Sequence, residues 1–134
     1  MALVFRVLGP LEVHRDGVPV LLPSGRRRAV LAALLVRSNR PVPADVLIDT
    51  AWGGELPAEP RAALRTVLSR LRAALGPGWL RLEPAGYVLP AGRDALDAAR
   101  FEALCARAAT EPAAAAAAML DEALALWRGP AFVE

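Results

Sequence analysis

Residues 57–75, PAEPRAALRTVLSRLRAAL, decide how this chain is read, because they separate an apolar stripe from a surface of short side chains flanked by arginine. Wound as a helix at about 100° per residue, Leu64, Leu68, Leu71 and Leu75 fall on one line and form a core face. Opposite stand Ala62, Thr66, Ser69 and Ala73, with Arg61, Arg65 and Arg72 along one flank and Arg70 on the other. Short residues let the helix axis come close to a surface while guanidinium groups reach past it on both sides. Entry into a DNA major groove demands that shape. A solvated amphipathic helix also carries charge on its outer face, so the flanking sequence has to decide between the two.

The 134 residues suffice for one domain of about 100 residues and part of another. A hydrophobic share of 55% is ample for a core. One cysteine, Cys105, excludes an internal disulfide and suits a reducing cytosol; on an apolar helix face it reads as a small core residue. One Cys and one His are too few for a zinc site, and no Ser-His-Asp grouping is present, so neither an enzyme, a metal nor a cofactor is expected. His14 has no carboxylate cluster around it in the sequence and reads as a residue beside a turn. No apolar run approaches the roughly 18 residues of a membrane span. The start, MALVFRVLGPLEV, has Arg6 inside its apolar run and no basic lead-in, which does not read as a signal peptide. The cytoplasm, at the nucleoid, is the expected location.

The net charge of +2 hides an asymmetry: residues 1–90 hold 12 Arg against 7 Asp and Glu, and residues 91–134 hold 4 against 7. All sixteen basic residues are arginine, which suits bidentate contacts to phosphate and guanine and also fits a GC-rich genome. Residues 4–13, VFRVLGPLEV, read as a strand bent at Gly9-Pro10. Asp16-Gly17 is a hairpin turn and residues 18–22 the returning strand. Ser24 is a plausible N-cap for a helix from about Gly25 to Arg37 that buries Val30, Leu31, Leu34 and Leu35. Arg26, Arg27 and Arg28 crowd its first turn, where the helix dipole disfavours positive charge unless an external anion is near; a phosphate-contact role follows. The surrounding LPSGRRRAV lacks the pattern of a nucleotide-binding loop.

After two prolines, Ala44 opens a short helix to Trp52 whose Leu47, Ile48, Ala51 and Trp52 face inward, and Gly53-Gly54 stops it. This helix, a Gly- and Pro-containing connection and the arginine-flanked helix make a helix-turn-helix. Residues 79–82 and 87–89 then read as two strands around Glu83-Pro84-Ala85-Gly86, a hairpin where a wing would stand, with Trp79 and Tyr87 as core anchors. Behind it, Phe101, Leu104, Cys105 and Ala108 share one helical face and Met119, Leu120, Ala123, Leu124 and Trp127 another, with Glu111-Pro112 between them. Such an αα-hairpin of the helical-repeat kind buries its outer faces on further repeats or by association.

These pieces, VFRVLGPLEV, DGVPV, RRRAVLAALLV, PVPADVLIDTAWGGELP, SRLRAALG and EPAGYVL, resemble in order the OmpR-type winged-helix domain of the SARP family of actinobacterial antibiotic-pathway activators. DALDAARFEALCARA and ALALWRGPAF resemble the start of the bacterial transcriptional activation domain that follows it there. The resemblance covers essentially the whole chain. It implies an α+β fold: a winged helix-turn-helix with an N-terminal antiparallel sheet and a C-terminal wing hairpin over residues 1–90, then an all-α hairpin over residues 91–134. It also implies a sequence-specific activator of a secondary-metabolite cluster, bound to double-stranded DNA as a head-to-tail dimer on direct repeats and contacting RNA polymerase and its sigma factor. Where the family often has Asn and Gln early in the recognition helix, this chain has Ala62 and Arg65, which leaves the operator sequence open. The DNA-binding residues expected are Arg26, Arg27, Arg28, Arg61, Arg65, Thr66, Ser69, Arg70 and Arg72. The alternative is a winged-helix module that binds protein and no longer DNA.

Overall fold

The computed structural model describes residues 3–22, 25–76, 78–92 and 94–132. Chain contacts divide it into two compact units, Val20–Pro90 and a second formed by Met1–Pro19 with Ala91–Glu134. The expected cut into 1–90 and 91–134 differs from this, since the N-terminal strands fall with the rear helices. The reason is hydrogen bonding between segments about 90 residues apart in sequence.

In the discontinuous unit, β1 (Leu3–Arg6), β2 (Glu12–Arg15) and β3 (Val18–Pro19) form an antiparallel sheet in that order. Residues 4–13 are therefore two strands and not one bent strand: Val4 pairs with His14 and Phe5 with Val13 across the Gly9-Pro10 turn. The amides of Val7 and Leu8, which a continuous strand would have paired, donate instead to the buried Asp97 carboxylate at 2.8 and 3.1 Å. Asp16 and Gly17, at φ of 51° and 82°, close the second hairpin with the left-handed pair such a turn requires. The return strand stops at Pro19, short of the expected 18–22, because proline has no amide to continue a ladder.

The same unit holds α4 (Asp97–Ala108) and α5 (Ala113–Ala125), packed as a helical hairpin. Phe5 donates its amide to Ala95 at 2.6 Å, tying β1 to the entry of α4. Leu104, Ala108 and Ala123 are buried, and Phe101 meets Trp127 edge-on at 5.5 Å between ring centroids. Cys105 is half-buried, so the expected core position is only partly enclosed. Leu120, Leu124 and Trp127 are exposed, so of the expected second apolar face only Ala123 is fully covered.

In the unit Val20–Pro90, α1 (Gly25–Val36), α2 (Ala44–Trp52) and α3 (Pro60–Leu75) are followed by the hairpin β4 (Arg81–Glu83) and β5 (Gly86–Val88). The expected Ser24 cap lies outside the described residues. α3 starts at Pro60, three residues later than its stretch suggests, with proline in the first turn where its missing amide costs nothing. Leu64, Leu68, Leu71 and Leu75 are buried as the periodicity requires, joined by Val67. Val30, Leu31, Leu34 and Leu35 of α1 and Leu47 and Ile48 of α2 complete this core. Trp79 and Leu80 are buried ahead of β4, which starts at Arg81 and not at the expected 79, while Tyr87, the other expected anchor, is half-buried within β5 beside the buried Val88.

The wing is fixed at its base. Val42 donates to Tyr87 at 2.8 Å and Tyr87 to Val42 at 2.9 Å, a bridge between the connection before α2 and β5. Gly86, at φ 143°, makes this approach possible, because a Cβ there would overlap the Val42 carbonyl.

Candidate nucleic-acid interface

The outer face of α3 is built as its sequence requires: Ala62, Thr66, Ser69 and Ala73 are all exposed, as are Arg61, Arg65, Arg70 and Arg72. Thr66 spends its hydroxyl on the Ala62 carbonyl at 3.2 Å, which lays the side chain along the helix and keeps this face low. Among the described residues, no carboxylate lies within salt-bridge distance of Arg26, Arg27, Arg61, Arg65, Arg70 or Arg72. Of the arginines elsewhere, Arg6 and Arg128 meet Glu12 and Arg100 meets Glu122, whereas Arg37, Arg40 and Arg107 have, among the described residues, no such pair.

The structure brings part of the predicted set together. Arg26 and Arg27 of α1, Thr66 and Arg70 of α3 and Trp52 of α2 line one hollow of about 370 Å³, floored by Ala63 and Val67. Arg26 is exposed, and its guanidinium carbon stands over the Trp52 ring, 5.5 Å from the centroid. Arg28 is half-buried and is not among the residues of this hollow. Arg61 lies apart from it, beside a second hollow of about 510 Å³ that it shares with Asp45, Asp49, Glu59, Ile48 and Leu56. Arg65, Ser69 and Arg72 lie on the flank of α3 away from Arg70, as the helical spacing requires.

Trp52 is the residue that sequence reasoning missed. It was expected to face inward with Leu47, Ile48 and Ala51, yet Trp52 and Ala51 are both half-buried while Leu47 and Ile48 are buried. The signal was available in the wheel: five residues after Leu47, Trp52 falls about 140° from it, at the edge of the apolar stripe. The wing was also left out of the predicted set. Arg81 and Leu82 are exposed along β4, with Arg81 reaching Glu83 at 4.0 Å.

In the other unit, Arg6, Arg100 and Arg128 are paired internally. Arg128 donates to Glu12 at 2.6 Å and lies 4.0 Å from Asp97. His14 is half-buried and meets Glu12 at 3.2 Å, so it has the carboxylate partner its sequence context did not show. That hydrogen bond, with Arg128 and Arg6 close by, holds the Glu12 carboxyl below its usual range. Among the described residues there is no cluster of His, Cys, Asp and Glu able to hold a metal ion, and no helix is long and apolar enough to cross a membrane.

Two helices joined at a turn, an exposed small-residue face on the second and a wing behind it define a winged helix-turn-helix, here combined with an antiparallel sheet and a helical hairpin. Residues 96–134 match the bacterial transcriptional activator domain family. With that domain following the winged helix, the chain is of the SARP type. It is 44% identical over 133 residues to the regulatory protein AfsR of Streptomyces coelicolor, covering 96% of this chain and 13% of that protein. To the regulatory protein DnrI of Streptomyces peucetius it is 30% identical over 146 residues, covering 96% of this chain and 53% of DnrI. Among solved structures, Mycobacterium tuberculosis EmbR in complex with a low-affinity phosphopeptide superposes with a TM-score of 0.88 at 37% identity, over 96% of this chain and 37% of EmbR. The chain thus spans between about an eighth and about half of the lengths of these relatives, all regulatory proteins by name.

Proposed function

We propose that this chain is the DNA-binding part of a transcriptional regulator, an activator of a secondary-metabolite cluster. On this reading α3 enters the major groove by its face of Ala62, Thr66, Ser69 and Ala73. The observation that carries the reading is the coincidence of that low face with exposed arginines that have no carboxylate partner. An arginine already satisfied within the protein has little to gain from a phosphate, whereas these hold charge in reserve.

Within this proposal the residues divide by reach. Arg65, near the N-terminal end of α3 that usually enters the groove, reads guanine through its two-pronged guanidinium. Arg70 and Arg72, towards the far end, hold phosphates, as do Arg26, Arg27 and Arg28 from α1. Arg61 stands at the edge of the interface beside carboxylates and contributes least. Residues 1–90 serve DNA binding and residues 91–134 begin the activation domain. Two copies occupy direct repeats head to tail and recruit RNA polymerase with its sigma factor, in the cytoplasm.

Selection of bound sequences from a random duplex pool by the 134-residue chain tests this reading. A recovered direct repeat is the expected result. A pool that stays random, together with no change in fluorescence anisotropy on duplex DNA at low salt, would convert the winged helix into a protein-binding module.

A further inference from the structure

We propose that Trp52 is a positioning residue that holds Arg26 ready for a DNA backbone phosphate, in a clamp shared with Arg27 and Arg70; the inference rests on the DNA-binding reading above. Three helices supply this site: α1 the paired guanidiniums, α2 the indole, and α3 the floor of Ala63 and Val67 with Thr66 and Arg70 at the rim. The geometry gathers three cations around one hollow that, among the described residues, no carboxylate lines. Like charges brought together without a counter-charge repel, and an anion seated between them offsets that repulsion. The contrast with the neighbouring hollow is direct, since there Asp45, Asp49 and Glu59 surround the single Arg61.

Trp52 adds what charge alone does not. An exposed arginine samples many rotamers, and immobilising it on binding costs affinity. A guanidinium resting on an indole face is held by the ring's negative face, and it keeps its N–H edge free for oxygen acceptors. Because the hollow opens along the Arg70 flank of α3, the group that reaches it while α3 lies in a groove is a phosphodiester bordering that groove. Such a contact is blind to sequence, so it strengthens binding to every duplex alike.

The test is a double-mutant cycle in the whole chain, read by anisotropy on a random-sequence duplex over a series of salt concentrations. Arg26→Ala should weaken binding by about two- to fivefold and reduce the magnitude of the salt slope by about one. Folded Trp52→Leu should reproduce much of that loss, Trp52→Phe less of it, and the double variant should bind no worse than Arg26→Ala alone. Thermal melts establish folding; if Trp52→Leu does not fold, Trp52→Phe completes the cycle with Arg26→Ala. Losses that multiply, or an unchanged salt slope in Arg26→Ala, would overturn the clamp. So would selective competition by inorganic phosphate over chloride at matched ionic strength, which would make this a site for free phosphate. If the wild-type chain binds and Arg65→Ala relaxes a base preference while this cycle is additive, the clamp alone falls. If the wild type ignores duplex DNA at low salt, the DNA reading falls and the clamp with it.

Discussion

In the unit of residues 1–19 and 91–134, Arg6 and Arg128 lie against Glu12 and Arg100 against Glu122. In residues 20–90, Arg26, Arg27, Arg61, Arg65, Arg70 and Arg72 have, among the described residues, no carboxylate within salt-bridge distance, while Arg81 in the wing has Glu83 at 4.0 Å. The same residue type therefore serves two ends. Where it is paired, it joins segments distant in sequence, as Arg128 joins Glu12. Where it is unpaired, it leaves a surface with charge to spend on something outside the protein.

The largest expected effect lies in the paired region. Asp97→Ala removes the acceptor of two buried amides, those of Val7 and Leu8, and should destabilise its unit by about 2–4 kcal/mol. Hydrogen exchange at Val7 and Leu8 reads this directly; protection unchanged from the wild type would mean that the carboxylate does not hold the N-terminal sheet. Deleting residues 91–134 removes the same anchor, and residues 3–15 should then lose protection even if residues 20–90 stay folded.

In the unpaired region the effects are smaller and fall on binding. Arg65→Ala should cost about 1–3 kcal/mol and relax preference at one base position, as measured by competition between operators varied one base at a time. Uniform weakening would reassign Arg65 to the backbone. Arg72→Ala should weaken all sequences alike and lower the magnitude of the salt slope by about one. A shift in base preference instead would make Arg72 a reader.

What the sequence made legible, and what it did not, follows the same division. α3 could be read because its four leucines repeat at helical spacing and its outer residues are short, both properties of neighbouring positions. The exposure of the α3 arginines could be read for the same reason. The split of residues 4–13 into β1 and β2 could not, because the group that satisfies the turn amides is Asp97, 90 residues from Val7. The same long-range bond, invisible in the sequence, is what groups the N-terminal strands with the rear helices by contact. Trp52 was misjudged because hydrophobicity alone assigns a tryptophan to the core, while its angular position left one face for Arg26.

The smallest predicted effect concerns pH. Glu12 is held below its usual range by His14, Arg128 and Arg6, so its contribution to stability is present above the ordinary carboxylate range and is lost as pH falls through its lowered folded-state value. Because the side chain is 42% exposed, solvent screens the effect. Melting of the wild type should shift more between about pH 6 and about pH 3 than melting of Glu12→Gln. Equal shifts would remove Glu12 from the acid response.

The claim that the unpaired arginines serve DNA is tested most directly by the dependence of duplex affinity on salt. Four to seven phosphate contacts per copy, each adding about −0.9 to the slope of log K against log salt, predict a slope between roughly −4 and −6. A slope shallower than about −2, or no binding at low salt, would contradict the assignment of these arginines to the DNA backbone.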